Sequence, residues 1–412
     1  MRRFHIVSMR SETSVADVGR QKVLSQLRAA LVGTNWDANW LRFNRPDRRW
    51  LAIGRGVVRW IGAALRGRVL PLQSCLALQG EFEIPEASAI SPDSDPVVYI
   101  DGVRLSHLGV PLKRQLGARL IVDFDDLMSR RVSRMRKRKE TFSSGAFRDF
   151  FPAFAEPALA KGRPILNLLY YAEKCLLRRS EIWASREADA IVFASPFEAR
   201  LFERFLRRYA PPPASLQLLV LGPCVRDTAQ VKSIFQASEP DLRFVFIGSD
   251  TFEQNRVAVN EIIQLAEAGS LAVSTFIGGR MVGHYPPAPG VTFCGYIESL
   301  KDFYRPGSIL LVPKSVRGGL KTKTFEAFDY GVPIIGSYEA LEGFEGHYPW
   351  RLRPDDLRAL VGNAHALRAG YSDALAAGME ICSEQYSFRI FRQRLLGFLN
   401  GRDSQALGAR TA

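Results

Sequence analysis

Cysteine and histidine are scarce in this chain of 412 residues, with five of each. Cys75, Cys175, Cys224, Cys294 and Cys382 are scattered and never spaced as CxxC. That excludes a disulfide framework and a zinc ribbon, and it fits a reducing compartment. The histidines lack HxxxH spacing, so no protein-built metal site is expected. No run approaches the ~18–20 apolar residues of a membrane span. The start, MRRFHIVSMRSE, has too short an apolar stretch for a secretory signal. Phe4–Met9 reads instead as a first strand. No repeat of ~20–50 residues is visible. With 47% hydrophobic and 24% charged residues, a disordered, collagen-like or coiled-coil chain is excluded. At ~100–200 residues per domain, the length predicts two.

Charge is unevenly divided. Through residue 225 there are 36 Lys and Arg against 22 Asp and Glu, and from 226 onward 20 of each. The whole net charge of +14 therefore lies in the first half. Such asymmetry suggests an anionic partner for that half, or a bias toward solubility.

Short apolar runs alternate with helical stretches in both halves, the signature of parallel strands with crossover helices. In the first half, strands are expected at Phe4–Met9, Val97–Ile100, Leu120–Phe124, Ala190–Ala194 and Leu218–Leu221. Helices are expected at Gly19–Leu31, within 160–187 and at Pro196–Tyr209. In the second half, strands are expected at 243–249, Leu271–Ile277, Val291–Phe293, Ile309–Val312 and Val332–Ile335. Helices there are Arg256–Ala268 and Lys321–Tyr330. This pattern predicts an α/β chain of doubly wound sheets, whose strand ends bind ligands. The expected domains are 1–225 and 226–400, followed by a frayed tail at 401–412.

The segment 308–345 carries the most chemistry. A strand ends at Pro313, and Gly318-Gly319 then leads into a helix beginning Lys321-Thr322-Lys323. Adjacent glycines let backbone amides approach a ligand. A helix N-terminus offers free N–H groups to an anion. Two lysines there oppose the dipole by about 0.3–1 kcal/mol each, a conflict that a bound diphosphate would remove. A tight loop with two solvated lysines is the simpler alternative. Glu326 shares a face with Thr322. It is placed either to accept ribose hydroxyls or to pair with Lys323, and spacing alone does not decide.

These residues resemble the GT-B glycosyltransferases, specifically the large retaining family 4 group of bacterial polysaccharide biosynthesis. The resemblance covers ~240–395, where length per domain would place one unit. It rests on FIGSD with Asn255, GVTFCGY at 290–296, GGLKTKTFEA, GVPII, ALEG at 340–343 and Tyr386-Ser387-Phe388. In the first half, LIVDFDDLMSRR at 120–131 resembles a variant among such enzymes. The resemblance implies two Rossmann-like domains facing across a cleft. It implies that Glu326 binds the donor ribose, that Gly319 and Leu320 face the pyrophosphate, and that Ile297 meets the nucleobase. Gly248 and Ser249 border the donor, and Asp125 or Asp126 stands near the transferred sugar. Two features depart from the family. Gly318 occupies the position of the first glutamate of a paired motif. The usual Arg/Lys pair after the first strand of the second domain is absent, which leaves Arg317, Lys321 or Lys323 to supply positive charge.

Residues 48–66 form an amphipathic helix on a 100° wheel. Trp50, Ile53, Val57, Trp60, Ile61, Ala64 and Leu65 share one side, and Arg48, Arg55, Arg59 and Arg66 lie near the opposite pole. This is the composition of an interfacial membrane helix, or of a helix covering the core with its arginines in water. The run 130–139, RRVSRMRKRK, has seven cations, Arg136 and Lys137 among them, and suits an acceptor or membrane surface. No nucleic-acid motif is present.

The function implied is metal-independent transfer of a sugar from a nucleotide-sugar, a co-substrate rather than a cofactor, to a lipid-linked oligosaccharide. Lys321 and an aspartate would be the catalytic residues, with Asp126 preferred over Asp125. The expected location is cytoplasmic, peripheral at the inner face of an anionic membrane. Alternatives are a non-catalytic basic scaffold of the same fold, binding membrane or nucleic acid, and a nucleotide-sugar epimerase.

Overall fold

A computed structural model describes residues 1–9, 20–44, 49–68, 70–83, 95–138, 163–225, 241–250, 253–281, 283, 285–315 and 319–401. Gly19, Arg48, Arg317, Gly318 and the tail from 402 lie outside the described residues. The chain divides into two compact units, Met1–Gly222 together with the chain from Arg392, and Pro223–Phe391.

The first unit holds β1 (Arg2–Val7), α1 (Arg20–Leu31), β2 (Trp36–Leu41), β3 (Phe43–Asn44), α2 (Arg49–Leu65), α3 (Ser74–Leu78) and β4 (Glu81–Phe82). It continues through β5 (Val97–Asp101), α4 (Ser106–Leu116), β6 (Arg119–Asp125), α5 (Met128–Arg138), α6 (Arg163–Glu187), β7 (Ala190–Phe193), α7 (Pro196–Tyr209) and β8 (Gln217–Val220). Its main sheet has the order β2-β1-β5-β6-β7-β8 and is parallel throughout. Helices cover both faces of such a sheet, so its central strands are continuous apolar runs. β7, AIVF, is buried at every position. Edge strand β2 was not expected: in WDANWL only the two ends are buried, so no apolar run announces it.

α4 was not expected either; it contains Gly109 and Pro111, residues that interrupt a helical pattern. A Cβ at Gly109 would lie 2.9 Å from Leu120, so this glycine lets the helix seat on the sheet. The cationic run forms α5, packed on α6. Glu181 of α6 accepts hydrogen bonds from the Ser129 amide (2.9 Å) and hydroxyl (2.6 Å) at its first turn. Burial pushes that carboxyl up to about 7.

The second unit holds β9 (Arg243–Ile247), α8 (Glu253–Glu267), β10 (Thr275–Gly278), β11 (Val291–Gly295), α9 (Leu300–Phe303), β12 (Ser308–Val312), α10 (Thr322–Asp329), β13 (Ile334–Ser337) and β14 (Arg351–Leu352). Then come α11 (Pro354–Val361), α12 (Ala364–Gln385) and α13 (Phe388–Leu399). The parallel sheet has the order β11-β10-β9-β12-β13-β14. In sequence ranks this is 3-2-1-4-5-6, the Rossmann arrangement. Its centre is β9 and β12, whose apolar side chains are buried except for the half-buried Ile247. α13 changes unit within its length. From Arg392 it belongs to the first, where Arg392 donates to the Ala30 carbonyl (3.1 Å) and Arg394 to that of Val220 (3.1 Å).

Candidate functional site

Ligands of doubly wound sheets bind at the carboxyl ends of strands, where the strand order reverses. In the second unit that point lies between the neighbouring strands β9 and β12. The segments leaving them are Gly248-Ser249-Asp250 and the stretch from Pro313 to Lys321. Both were singled out from sequence.

Side chains tie these segments together. Asn255, on the first turn of α8, donates through Nδ2 to the Ser249 carbonyl (2.7 Å). Its Oδ1 accepts from Lys323 Nζ (2.6 Å). A Cβ at Gly248 would come within 2.5 Å of Asn255 Nδ2, so only glycine permits this approach. Lys323 Nζ also stands 4.0 Å from the centre of the Phe246 ring. Lys321 is the residue preceding α10. It is buried, and its Nζ donates to the Gly319 carbonyl (3.1 Å). Gly319 has φ +67°, which glycine adopts at no steric cost. Thr322 opens the helix and Leu320 packs against the core beneath it.

Two ammonium groups thus share the positive end of one helix. Burial first, then Lys321, push Lys323 down to about 7, with Glu326 pulling the other way. Glu326 is half-buried, one turn along α10 from Thr322. Burial raises the Tyr304 phenol and the Glu326 charge adds to it. The buried Tyr304 hydroxyl has no hydrogen-bond partner among the described residues. Nothing in the sequence pointed to Tyr304, because no pattern links it to α10. Ile297 packs on β10: a Cβ at Gly278 would lie 2.6 Å from its Cγ1. Asp250 is structural, accepting from the Gly283 amide (2.6 Å) and the Tyr285 hydroxyl (3.1 Å).

In the first unit, β6 ends at the aspartates. Asp125 has φ +60°, left-handed backbone in a non-glycine residue, and the pairing with β7 shifts register there. Such strain clusters at functional positions. The Asp125 amide donates to Asp123 Oδ1 (2.7 Å), and Asp123 also accepts from the Tyr99 hydroxyl. Both bonds hold Asp123 within the sheet. Asp126 is nearly buried and forms an ion pair with Arg131 (3.6 Å). Its preference over Asp125 rested on strand alternation alone, and the backbone strain falls on Asp125.

The basic residues separate. Arg136 donates to Asn167 Oδ1 (2.7 Å) and lies over the Tyr171 ring, while Lys137 is exposed. On α2, the expected division of faces needs correction. The buried side is Ala52, Gly56 and Ala63, and Gly56 meets the Cys75 carbonyl of α3. Arg59 does not join a free arginine pole: it pairs with Glu81 (2.6 Å) and reaches the Leu78 and Gly80 carbonyls (3.3 Å each). Arg55 and Arg66 are exposed. Much of the expected apolar side faces outward, with Ile61 47% and Leu65 84% exposed, and the neighbouring Leu51 and Val58, outside that expected set, are also exposed. Trp50 lies in the first turn of α2.

No family model matches the chain, and no curated protein matches it in sequence. Solved structures do. Sucrose-phosphate synthase from Thermosynechococcus elongatus is 15% identical with a TM-score of 0.55, covering 97% of this chain and 99% of its own. The Anabaena protein HepE, solved in complex with UDP, is 9% identical with a TM-score of 0.56, covering 97% and 100%. The trehalose 6-phosphate synthase of Burkholderia multivorans is 12% identical with a TM-score of 0.54, covering 97% and 96%. The fold is that of GT-B glycosyltransferases.

Proposed function

We propose that this chain is a glycosyltransferase that moves a sugar from a nucleotide-sugar to a hydroxyl of a lipid-linked saccharide in surface polysaccharide synthesis. One observation carries the reading: Lys321 and Lys323 converge at the N-terminus of α10, beside the strand-order reversal, with Lys323 pushed down to about 7. A diphosphate there relieves their mutual repulsion. The UDP in the HepE structure supports a nucleoside diphosphate as the ligand class. Charge developing on the leaving diphosphate would meet Lys321, Lys323 and the amides of Gly319 and Leu320, with no metal or cofactor required. Glu326, one turn on, would accept the ribose hydroxyls. Asp125 or Asp126 would receive the acceptor proton.

The test is a thermal-shift series with UDP-, GDP- and ADP-sugars. A donor at a hundred times its Kd adds about 2.7 kcal/mol of stability. Glu326→Ala should remove that shift, and Lys321→Ala should lower turnover by about 10²–10³. No shift with any nucleotide-sugar would overturn the proposal. Gly318 in place of a first glutamate favours the second reading, a non-catalytic scaffold, for which donors would bind without ever turning over.

Membrane attachment belongs to the same proposal. Among the described residues no helix is long and apolar enough to cross a membrane. The outward Leu51, Val58 and Leu65, flanked by exposed Arg55 and Arg66, instead suit a helix lying in an anionic surface. Flotation with anionic vesicles should be lost when Leu51 and Leu65 become serine, and weakened by salt.

A further inference from the structure

The first unit contains a cavity of about 530 Å³ that no part of the proposed transfer uses. It lies along α4, between that helix, the end of α6 and the turn after α2. Its residues span α4 from Ser106 to Arg114, so it flanks the sheet rather than opening at one strand end. Leu70, Ser106, Val110 and Ser180 are buried in its wall. Around it stand three exposed guanidinium groups, Arg68, Arg114 and Arg179. None of the three is paired among the described residues. Glu187 is the acid among the lining residues, against these three cations.

Two further groups define what would fit. Trp183 is 37% exposed and offers an aromatic wall. His107 lines the cavity, and its Nδ1 lies 3.0 Å from the Arg104 carbonyl. A carbonyl only accepts, so Nδ1 carries the proton and Nε2 keeps a lone pair. Nε2 is buried and has no hydrogen-bond partner among the described residues. Burial, aided by Arg68, pushes this imidazole down to about 4, so it is neutral near pH 7.

Unpaired arginines select phosphate, since each guanidinium can donate two hydrogen bonds to one anion. A bare imidazole acceptor selects a hydroxyl. The apolar wall selects a carbon skeleton, and the volume is in the ~300–1,000 Å³ range of small-molecule sites, far larger than phosphate alone. We propose that this cavity binds a hydroxyl-bearing phosphate ester, with its phosphate at Arg68, Arg114 and Arg179 and a hydroxyl donated to Nε2 of His107. Two sources share that chemistry, a soluble polyol phosphate and a glycerophospholipid headgroup. The second gains interest because the exposed apolar side of α2 ends at Leu65, two residues before Gly67 of the cavity.

The experiment is calorimetric titration of the full chain with inorganic phosphate, glycerol 3-phosphate and a short-chain phosphatidylglycerol below its micelle concentration. Saturable one-to-one binding of an ester, at least tenfold tighter than inorganic phosphate, is expected. Equal affinity for both esters identifies a soluble ligand, and preference for the lipid identifies a headgroup. The double variant Arg114→Gln, Arg179→Gln should fold, because both side chains are exposed and unpaired, and should weaken binding at least tenfold. His107→Phe should remove the advantage of the esters over inorganic phosphate. Lys321→Ala should leave ester binding at this cavity unchanged, which separates this site from the proposed donor site. Absence of saturable ester binding overturns the inference. So does binding that survives the double arginine variant or disappears in Lys321→Ala.

Discussion

Asp125 shows how a single backbone angle can be separated from a side chain's chemistry. Its φ of +60° disfavours any residue with a Cβ, by up to about 1–2 kcal/mol. Asp125→Gly should therefore raise the urea midpoint modestly while lowering sugar transfer. A variant that loses stability would mean that the carboxylate, not the strain, dominates there. Lys323 gives a pH signature. Its folded value is about 7 against 10.5 for the free side chain, so between those values the unfolded chain holds the extra proton. Stability should therefore rise with pH across that window, and the penalty is fully present below about pH 7. Urea midpoints from pH 6.5 to 9.5 should climb in the wild type relative to Lys323→Met. A bound diphosphate would restore the charge, so nucleotide binding at pH 8.5 should take up a proton. Calorimetry in two buffers of different ionisation enthalpy measures that uptake. The coupling of Lys321 and Lys323 at the start of α10 was legible because both sit in one short stretch of chain. Tyr304 was not, since only folding brings it under the influence of Glu326.

Elements were legible where burial on both faces produces a continuous apolar run, as in β7, β9 and β12. They were hidden where glycine or an edge position breaks the pattern, as in α4 and β2. Helix α2 adds a different lesson. Its wheel identified an amphipathic helix but not which side docks, because the docking side consists of small residues with little hydrophobic weight. Two of the three glycines of α2, Gly54 and Gly56, should accordingly respond in opposite directions. Gly56→Ala places a methyl 2.3 Å from the Cys75 carbonyl, a backbone atom that yields only if the helix shifts. That should cost about 1–3 kcal/mol. Gly54 has nothing within 4 Å, and Gly54→Ala should add about 0.5–1 kcal/mol through helix propensity. Paired melting curves of the two variants test this, and a similar response in both would show that α2 does not dock through Gly56.

At the scale of the whole molecule, the division into two doubly wound units follows from the repeated alternation of strand and helix. The charge asymmetry was equally plain, but its meaning was not. Several basic residues turned out to be engaged within the first unit, Arg59 with Glu81, Arg131 with Asp126 and Arg136 with Asn167. Those around the α4 cavity come from three separate stretches of sequence and have no common motif. The connection between the units has a further consequence. The second is one unbroken stretch, Pro223–Phe391, and near its two ends Val225 donates its amide to the Tyr386 carbonyl (2.9 Å) and bridges Ser387. Topologically it is an insertion whose entry and exit meet. Produced alone, Pro223–Phe391 should fold and give the same nucleotide-dependent thermal shift as the full chain; failure to fold would show that it depends on the first unit. Because its ends are already adjacent, a short peptide joining them would allow new termini to be opened elsewhere in this unit, or the whole unit to be exchanged as one cassette.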